Sequence, residues 1–213
     1  MYIANEFFDA IPIKQFFKKK QQWFEKFVDL NNFTHAKFRE EKKNIKKIEK
    51  ILKFEVSKNQ DIIEYSPKTF EYLNNILSKI EKNNGGILII DYGYLDFKMQ
   101  DTLQAIKNHK YSNILKNIGD TDITYNINFS LFKQYTFQFN KVNTLVTDQK
   151  KFLTSMGILQ RAEIISKKMS FSKKTDLFYR IRRLIDKKHM GELFKVMLIK
   201  NKSNTFNTGF QID

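Results

Sequence analysis

The sequence contains no cysteine, which excludes disulfide bonds and thiolate metal sites. It has only seven glycines and no Gly-x-Gly pattern or P-loop, so these 213 residues encode no glycine-rich loop for a bound cofactor. No run of about 18 apolar residues occurs, and this excludes a membrane-spanning helix. The N-terminus shows no basic region followed by an apolar run, which a secretory signal would have. We therefore expect a cytoplasmic protein.

Histidine is also scarce. The three histidines, His35, His109 and His189, are too dispersed for a recognisable metal-ligand pattern, so we expect no metal site. His109 lies in a polar stretch, where it could act as an acid–base group near neutral pH. The alternative is an ordinary histidine of a polar segment, and the sequence alone leaves both interpretations open.

Acidic residues are few relative to basic ones, and the formal net charge is +15. Such an excess suggests binding to nucleic acid, because lysine and arginine displace counterions from phosphate backbones. However, 33 of the 38 basic residues are lysine and only 5 are arginine, the residue best suited to bidentate phosphate and base contacts. Lysine, asparagine, isoleucine, phenylalanine and tyrosine all have AT-rich codons, so nucleotide bias also explains the balance. We expect a solvated basic surface and no specific nucleic-acid partner.

What the chain does contain is enough apolar material for a core, with 21 Phe and 9 Tyr in a hydrophobic fraction of 41%. The pattern predicts an α/β protein. Extended segments are predicted on both sides of a basic turn within residues 11–30 and at 62–65, 86–94, 101–106, 144–147 and 194–199. Helices are predicted at 39–53, 67–82, 128–135, 156–168 and 173–187. The apolar run Gly86–Tyr94 is typical of a parallel strand covered on both faces, and with the helix before it predicts a βαβ unit.

The segment Asn5-Glu6-Phe7-Phe8-Asp9 follows a short apolar stretch and carries the most informative polar cluster. Such a cluster fits the end of a buried strand, where open α/β sheets place their active sites. There an amide and two carboxylates could hold a cationic or amine-bearing substrate and accept a proton. Alternatively, Asn5 caps a helix whose first turn is favoured by Glu6 and Asp9.

A second polar group, Asp91-Tyr92-Gly93-Tyr94, ends the apolar run. A glycine there lets the backbone turn sharply, and the tyrosines could form the wall of a pocket. An ordinary strand-to-helix turn with surface tyrosines is the alternative.

Six segments in order resemble the MidA-like methyltransferases, a family whose mitochondrial members assist assembly of respiratory complex I. The resemblance covers the chain to about residue 200, and it is carried by Ala4–Pro12, Gly85–Tyr94, Asp101–Ala105, Gly119–Thr124, Phe152–Ile158 and Met190–Val196.

The resemblance implies a Rossmann-type fold with added helices, S-adenosylmethionine as cofactor, and methyl transfer to arginine of a protein substrate, a complex I subunit. Asn5, Glu6 and Asp9 would lie after the fourth strand of that fold as the catalytic residues that meet the methyl acceptor. Asp91, Tyr92, Gly93 and Tyr94 would bind substrate, following the fifth strand at the rim of the same pocket.

The family's glycine-rich cofactor loop and acidic ribose-binding residue precede its Asn-Glu-x-x-Asp segment, and only four residues do so here. The family's Val-Asp-Phe stretch is also Ile127-Asn128-Phe129 in this sequence. We therefore predict a single incomplete domain over residues 1–213, with the remaining sheet, a strand insert and helices in 1–100 and C-terminal strands and helices in 101–213. No cofactor-binding residue is assigned, and a separately encoded N-terminal fragment is the expected partner. The alternatives are a non-catalytic remnant or protein-binding module, and a basic nucleic-acid-binding domain.

Overall fold

The computed structural model describes residues 1–31, 35–108, 110–116 and 118–210. It divides into two compact units. The first contains Met1–Glu6, Ile76–Tyr94 and the described residues from Phe139 onward, and the second contains Phe7–Asn75 and Leu95–Gln138. Each unit therefore draws residues from both sides of position 100. The single incomplete domain predicted from the sequence stays a prediction.

The elements confirm a mixed α/β chain. In order they are β1 (Tyr2–Asn5), β2 (Lys14–Lys19), β3 (Gln22–Asn31), β4 (His35–Lys42), α1 (Lys46–Leu52), β5 (Ile62–Tyr65), α2 (Pro67–Asn83), β6 (Gly86–Tyr94), β7 (Gln104–Lys107), β8 (Lys110–Ser112), β9 (Asp122–Thr124), β10 (Ile127–Asn128), α3 (Phe129–Thr136), β11 (Val142–Asp148), α4 (Gln149–Ser155), α5 (Ile158–Ser166), α6 (Phe171–Ile185), α7 (Met190–Leu193) and β12 (Phe194–Asn201).

The sheet of the first unit has the strand order β1-β6-β12-β11. β1 runs parallel to β6, whereas β12 is antiparallel to both β6 and β11. Along β6, burial alternates with the period of two expected for a pleated strand, and Ile87, Ile89 and Asp91 on one face are buried. On the other face, Val196, Leu198 and Phe210 form a buried cluster with partly buried neighbours that include Leu88 and Ile90.

The second unit is built on an antiparallel sheet with the order β4-β3-β2-β5 and a smaller sheet with the order β8-β7-β9. The prediction of a helix over 39–53 is wrong for its first part, since residues 39–42 belong to β4 and the helix begins at Lys46. Arg39 lies opposite Phe27 on β3 and forms an ion pair with Asp29 at 3.0 Å. Pairing with a distant strand thus overrides the local helix propensity of the Lys- and Glu-rich segment.

The predicted βαβ unit is wrong as well. β5 pairs antiparallel with β2 in the second unit, while β6 pairs with β1 and β12 in the first. Both strands and the helix between them exist at the predicted positions. Local pattern locates the elements, but it carries no information about which sheet each strand joins.

Helix α2 confirms the helix predicted at 67–82, and local signals in the sequence mark both of its ends. The Ser66 hydroxyl accepts a hydrogen bond from the Thr69 N–H at 3.2 Å, which makes Ser66 the N-cap before Pro67. The apolar face is buried at Phe70, Leu73, Leu77 and Ile80. The helix ends where Asn84 and Gly85 adopt positive φ values of 64° and 107°.

Two further helices begin at side chains that cap them. Asn128 Oδ1 accepts from the Leu131 N–H at 3.0 Å at the start of α3, and Asp148 Oδ1 accepts from the Lys151 N–H at 2.8 Å at the start of α4. Met190 and Gly191 begin the short helix α7. Among the described residues, none of the helices has the length and apolar character needed to cross a membrane.

Candidate functional site

Asn5 and Glu6 lie at the carboxyl end of β1, and the prediction of a strand end is confirmed. The backbone N–H of Glu6 donates to the Ile90 carbonyl oxygen at 2.9 Å, which continues the pairing of β1 with β6 by one residue. Glu6 adopts φ +46°, a left-handed conformation that is uncommon for a residue with a side chain. Both side chains are exposed, and Asn5 Nδ2 donates to Glu6 Oε1 at 3.4 Å. The helix-cap alternative for Asn5 is wrong, because the next element after β1 is the strand β2.

Asp91, Tyr92, Gly93 and Tyr94 were expected after a strand, and this placement is wrong because β6 includes them all. β12 pairs with β6 as far as Tyr92, which lies opposite Phe194. The two rings are tilted by 42°, with centroids 4.1 Å apart. The alternative of a strand-to-helix turn is wrong for the same reason. Since β1 and β6 are parallel, these residues nevertheless lie at the same edge of the sheet as Asn5 and Glu6.

Asp91 is fully buried on the face of β6 that also carries Ile87 and Ile89, and its Oδ1 accepts from the Tyr92 N–H at 3.0 Å. Sequence reasoning missed Lys195 of β12, a neighbour of Asp91. Lys195 pairs with Asp91 of β6 on one side and with Asp148 of β11 on the other. Residues paired in this way project from the same face of the sheet. Lys195 was not identified because its position depends on the register of three strands.

Lys195 is half-buried, and this burial lowers the pKa of its ammonium group. The charges of Asp148 and Glu192 oppose the shift in pKa. Its Nζ donates a hydrogen bond to the Glu192 carbonyl oxygen. The sheet edge that carries the predicted site residues thus also contains a partly desolvated cation.

Asp9 belongs to the second unit, in a turn that follows two phenylalanines. Phe8 is fully buried and packs edge-to-face on Phe132, with ring centroids 5.6 Å apart. The Ile11 N–H donates to the Phe8 carbonyl at 3.2 Å, and the Pro12 carbonyl accepts from the Ser66 hydroxyl at 2.9 Å. These contacts hold the turn in one conformation, and only 7% of the Asp9 surface is exposed.

A groove of about 380 Å³ lies beside Asp9 in the second unit. Asp9 is the only charged residue among the described residues that line it, and most of the others are aliphatic. Sequence reasoning missed these walls because their residues are far apart in the chain. Among them, the large aliphatic residues Val28, Leu30, Ile118 and Ile123 are exposed.

A buried carboxylate supports one wall of this groove. Glu64 accepts from Gln15 Nε2 at 2.7 Å, and its Oε1 also accepts from the N–H groups of Thr102 and Leu103 at 3.0 and 3.1 Å. Leu103 is one of the lining residues, so Glu64 fixes its backbone. Burial raises the pKa of Glu64, although the hydrogen bonds it accepts oppose the shift.

The structure therefore locates the predicted residues in two places. Asn5, Glu6, Asp91, Tyr92, Gly93 and Tyr94 are in the first unit, and Asp9 is in the second. His109 lies outside the described residues. Within the described ranges, no group of three or more His, Asp or Glu residues could hold a metal ion.

The described strands do not offer a cradle for S-adenosylmethionine. A glycine-rich loop after a strand lets the backbone approach a bound cofactor closely. Here β1 is followed by Glu6 and β6 by Leu95, and none of the other described strands leads into such a loop. The described strands therefore do not fit this cofactor.

Comparison with known proteins identifies the family. The sequence profile of a family described as "Putative S-adenosyl-L-methionine-dependent methyltransferase" matches residues 1–147. Among curated proteins, the chain is similar to the mitochondrial protein arginine methyltransferase NDUFAF7 of Danio rerio, with 26% identity over 94% of this chain and 47% of the relative. The human protein of the same name is 29% identical over 91% of this chain and 43% of its own length.

A solved structure shares the fold. A protein from Burkholderia thailandensis, crystallised with S-adenosyl-homocysteine, matches with a TM-score of 0.80 and 21% identity over 98% of this chain and 55% of that one. The chain spans just under half the length of the curated relatives it matches. The family profile covers more than two thirds of the 213 residues. This chain belongs to the MidA-like family of S-adenosyl-L-methionine-dependent methyltransferases.

Proposed function

We propose that this chain forms the acceptor side of a protein arginine methyltransferase. In this proposal Asn5, Glu6 and Asp9 are the catalytic residues that act on a substrate arginine, and Asp91, Tyr92, Gly93 and Tyr94 contribute to substrate binding. The observation that carries it is the conformation of Glu6, which has φ +46° and donates its N–H to Ile90 at the carboxyl end of β1, beside the parallel strand β6. Strained backbone of this kind concentrates at functional sites.

Carboxylates suit this acceptor for two chemical reasons. A carboxylate binds a guanidinium through two parallel charge-assisted hydrogen bonds, which orients the planar group. A guanidinium nitrogen must also release a proton when it gains a methyl group, and a nearby carboxylate can accept that proton as a general base. S-adenosylmethionine supplies the methyl group in this family. The amide of Asn5 offers a donor and an acceptor but no charge.

The names of the relatives support arginine in a protein as the acceptor, since they are protein arginine methyltransferases of mitochondria. We propose that the substrate is a subunit of NADH:quinone oxidoreductase, as the family resemblance implies. The cytoplasmic location expected from the sequence stays a prediction.

We further propose that a segment outside these 213 residues supplies the cofactor cradle. β1 is the last strand in the order β1-β6-β12-β11, and its Ile3 is 71% exposed. An exposed apolar edge strand is a template for a further strand and an aggregation hazard when left uncovered. A separately encoded fragment that bears the glycine-rich loop is the expected partner.

Calorimetric titration tests this division of the site. The 213-residue chain is titrated with S-adenosyl-homocysteine, first alone and then together with the product of the adjacent upstream reading frame. We expect S-adenosyl-homocysteine to bind only to the mixture. We also expect the upstream product to contain a glycine-rich loop after a strand. Micromolar binding by the chain alone would contradict the division. An upstream region interrupted by stop codons would favour a non-catalytic remnant.

A further inference from the structure

We propose that the apolar groove beside Asp9 binds the side chain of the acceptor arginine. Its aliphatic part would lie along the walls and its guanidinium against the Asp9 carboxylate. This inference rests on the proposed function, and it adds the part of the substrate that the chain recognises besides the reacting nitrogen.

The walls of the groove are mostly aliphatic and suit an alkyl chain. Val28 and Leu30 are two residues apart on β3 and therefore project from the same face of the strand. With Ile118 and Ile123 they line one groove, and these four aliphatic residues are between 41% and 56% exposed. Single exposed apolar residues are ordinary, but several around one concave surface indicate a binding site.

The groove also contains a carboxylate that suits a cation. Asp9 is the only charged residue among the described residues of the groove, and it is 93% buried within the chain. A carboxylate surrounded by apolar walls attracts a cation more strongly than a solvated carboxylate does, because the local dielectric constant is low. A guanidinium is more weakly hydrated than an ammonium, and one of its N–H groups can donate a charge-assisted hydrogen bond to the carboxylate. An arginine side chain matches both the apolar walls and the carboxylate, because its three methylene groups are followed by a guanidinium.

The groove is also pre-formed. The buried Phe8 and the hydrogen bond between Ser66 and Pro12 fix the turn that carries Asp9. Elsewhere in the lining, the Glu64 carboxylate accepts a hydrogen bond from the backbone N–H of Leu103 at 3.1 Å. A pre-formed groove binds its ligand without the cost of ordering its own residues.

Binding of n-alkylguanidinium ions to the full chain tests the inference without any need for catalysis. Ethyl-, propyl- and butylguanidinium are titrated by NMR, and each added methylene should tighten binding by about fourfold if it is buried. The corresponding alkylammonium ions should bind more weakly. Asp9→Asn should remove the preference for guanidinium, and Leu30→Ser should weaken butylguanidinium more than ethylguanidinium.

Ile51→Ser is the matched control, because Ile51 is an aliphatic residue of the same unit that is 61% exposed and lies outside the groove lining. It should leave every affinity unchanged. Affinities that do not depend on alkyl length, or equal losses for Leu30→Ser and Ile51→Ser, would overturn the inference. So would equally tight binding of the matching alkyl alcohols, or a dimer of the chain that Leu30→Ser dissociates.

The two proposals fail in distinguishable ways. If the complemented enzyme methylates arginine while alkylguanidinium ions do not bind the groove, the proposed function stands and the groove inference falls. If these ions bind as expected and no arginine is methylated, the groove binds guanidinium and the proposed function falls.

Discussion

The backbone N–H of Glu6 donates to the carbonyl oxygen of Ile90 at 2.9 Å, while Glu6 itself holds φ +46°. Two adjacent parallel strands are thereby joined at the point where polar side chains begin. The left-handed conformation costs a residue with a side chain about 1–2 kcal/mol relative to its relaxed state. The structure thus maintains at this edge a conformation that a glycine would adopt with less strain.

This relationship predicts that substitution of Glu6 abolishes methyl transfer without much effect on stability. Glu6→Gly should leave the free energy of unfolding within about 1 kcal/mol of the original value, since the loss of strain offsets the added chain entropy. The complemented enzyme should nevertheless lose methyl transfer. Glu71→Gly, in the middle of the exposed face of α2, should instead cost about 1 kcal/mol and keep activity. Urea denaturation and a methyl-transfer assay measure the two quantities, and a destabilised Glu6→Gly protein would contradict the account.

The adjacent residues Phe7 and Phe8 are expected to contribute unequally to the stability of the turn that contains Asp9. Phe8 is fully buried against Phe132, whereas Phe7 is 46% exposed. Phe8→Ala should reduce the free energy of unfolding by about 3–5 kcal/mol because it leaves a cavity in the core. Phe7→Ala should cost less than about 1.5 kcal/mol, since it removes mainly an aromatic contact. Comparable losses in urea denaturation would show that the turn is held by other contacts.

The hydrogen bonds of Glu64 predict an unequal response to two substitutions. In Glu64→Gln the amide oxygen can accept the same backbone N–H groups, and the amide N–H can donate to the Thr102 hydroxyl, which accepts as well as donates. We expect stability at neutral pH to be unchanged or increased. Glu64→Leu leaves the N–H groups of Thr102 and Leu103 without this acceptor and should cost about 1–3 kcal/mol. A larger loss for Gln than for Leu would contradict this assignment.

The pH dependence of stability gives a separate test of Glu64. Because burial raises its pKa above 4.5 in the folded chain, the folded state binds this proton more tightly than the unfolded state does. The contribution of Glu64 to stability is therefore full below pH 4.5 and is lost as the pH rises through the higher folded pKa. The stability of Glu64→Gln relative to the original protein should accordingly increase over that range. A difference in unfolding free energy that is independent of pH would contradict the raised pKa.

Local signals made several elements predictable from the sequence. Ser66 and Asn128 cap their helices because the hydrogen bond of an N-cap spans only three residues. The strand end at Asn5 was predictable for a similar reason, since a short apolar stretch is followed directly by polar residues.

Non-local pairing explains what could not be predicted. The segment after Arg39 extends β4 because of its partners on β3, and β5 and β6 join different sheets although they flank the same helix. The groove beside Asp9 depends on residues such as Leu30 and Ile123, which are brought together only by the fold. Register and sheet membership are properties of distant parts of the chain, and no short window contains them.

The most direct test of the central claim is the identity of the methylated atom. The chain, complemented by the cofactor-binding segment, is incubated with isotopically labelled S-adenosylmethionine and complex I subunits, and the products are sequenced by mass spectrometry. We predict a methyl group on a guanidino nitrogen of arginine. Asp9→Asn should reduce its rate by at least about 100-fold, as expected for loss of a general base. Asp61→Asn, which removes an exposed carboxylate of the same unit, should leave the rate unchanged. Label on another residue type, or equal rates for Asp9→Asn and Asp61→Asn, would contradict the account.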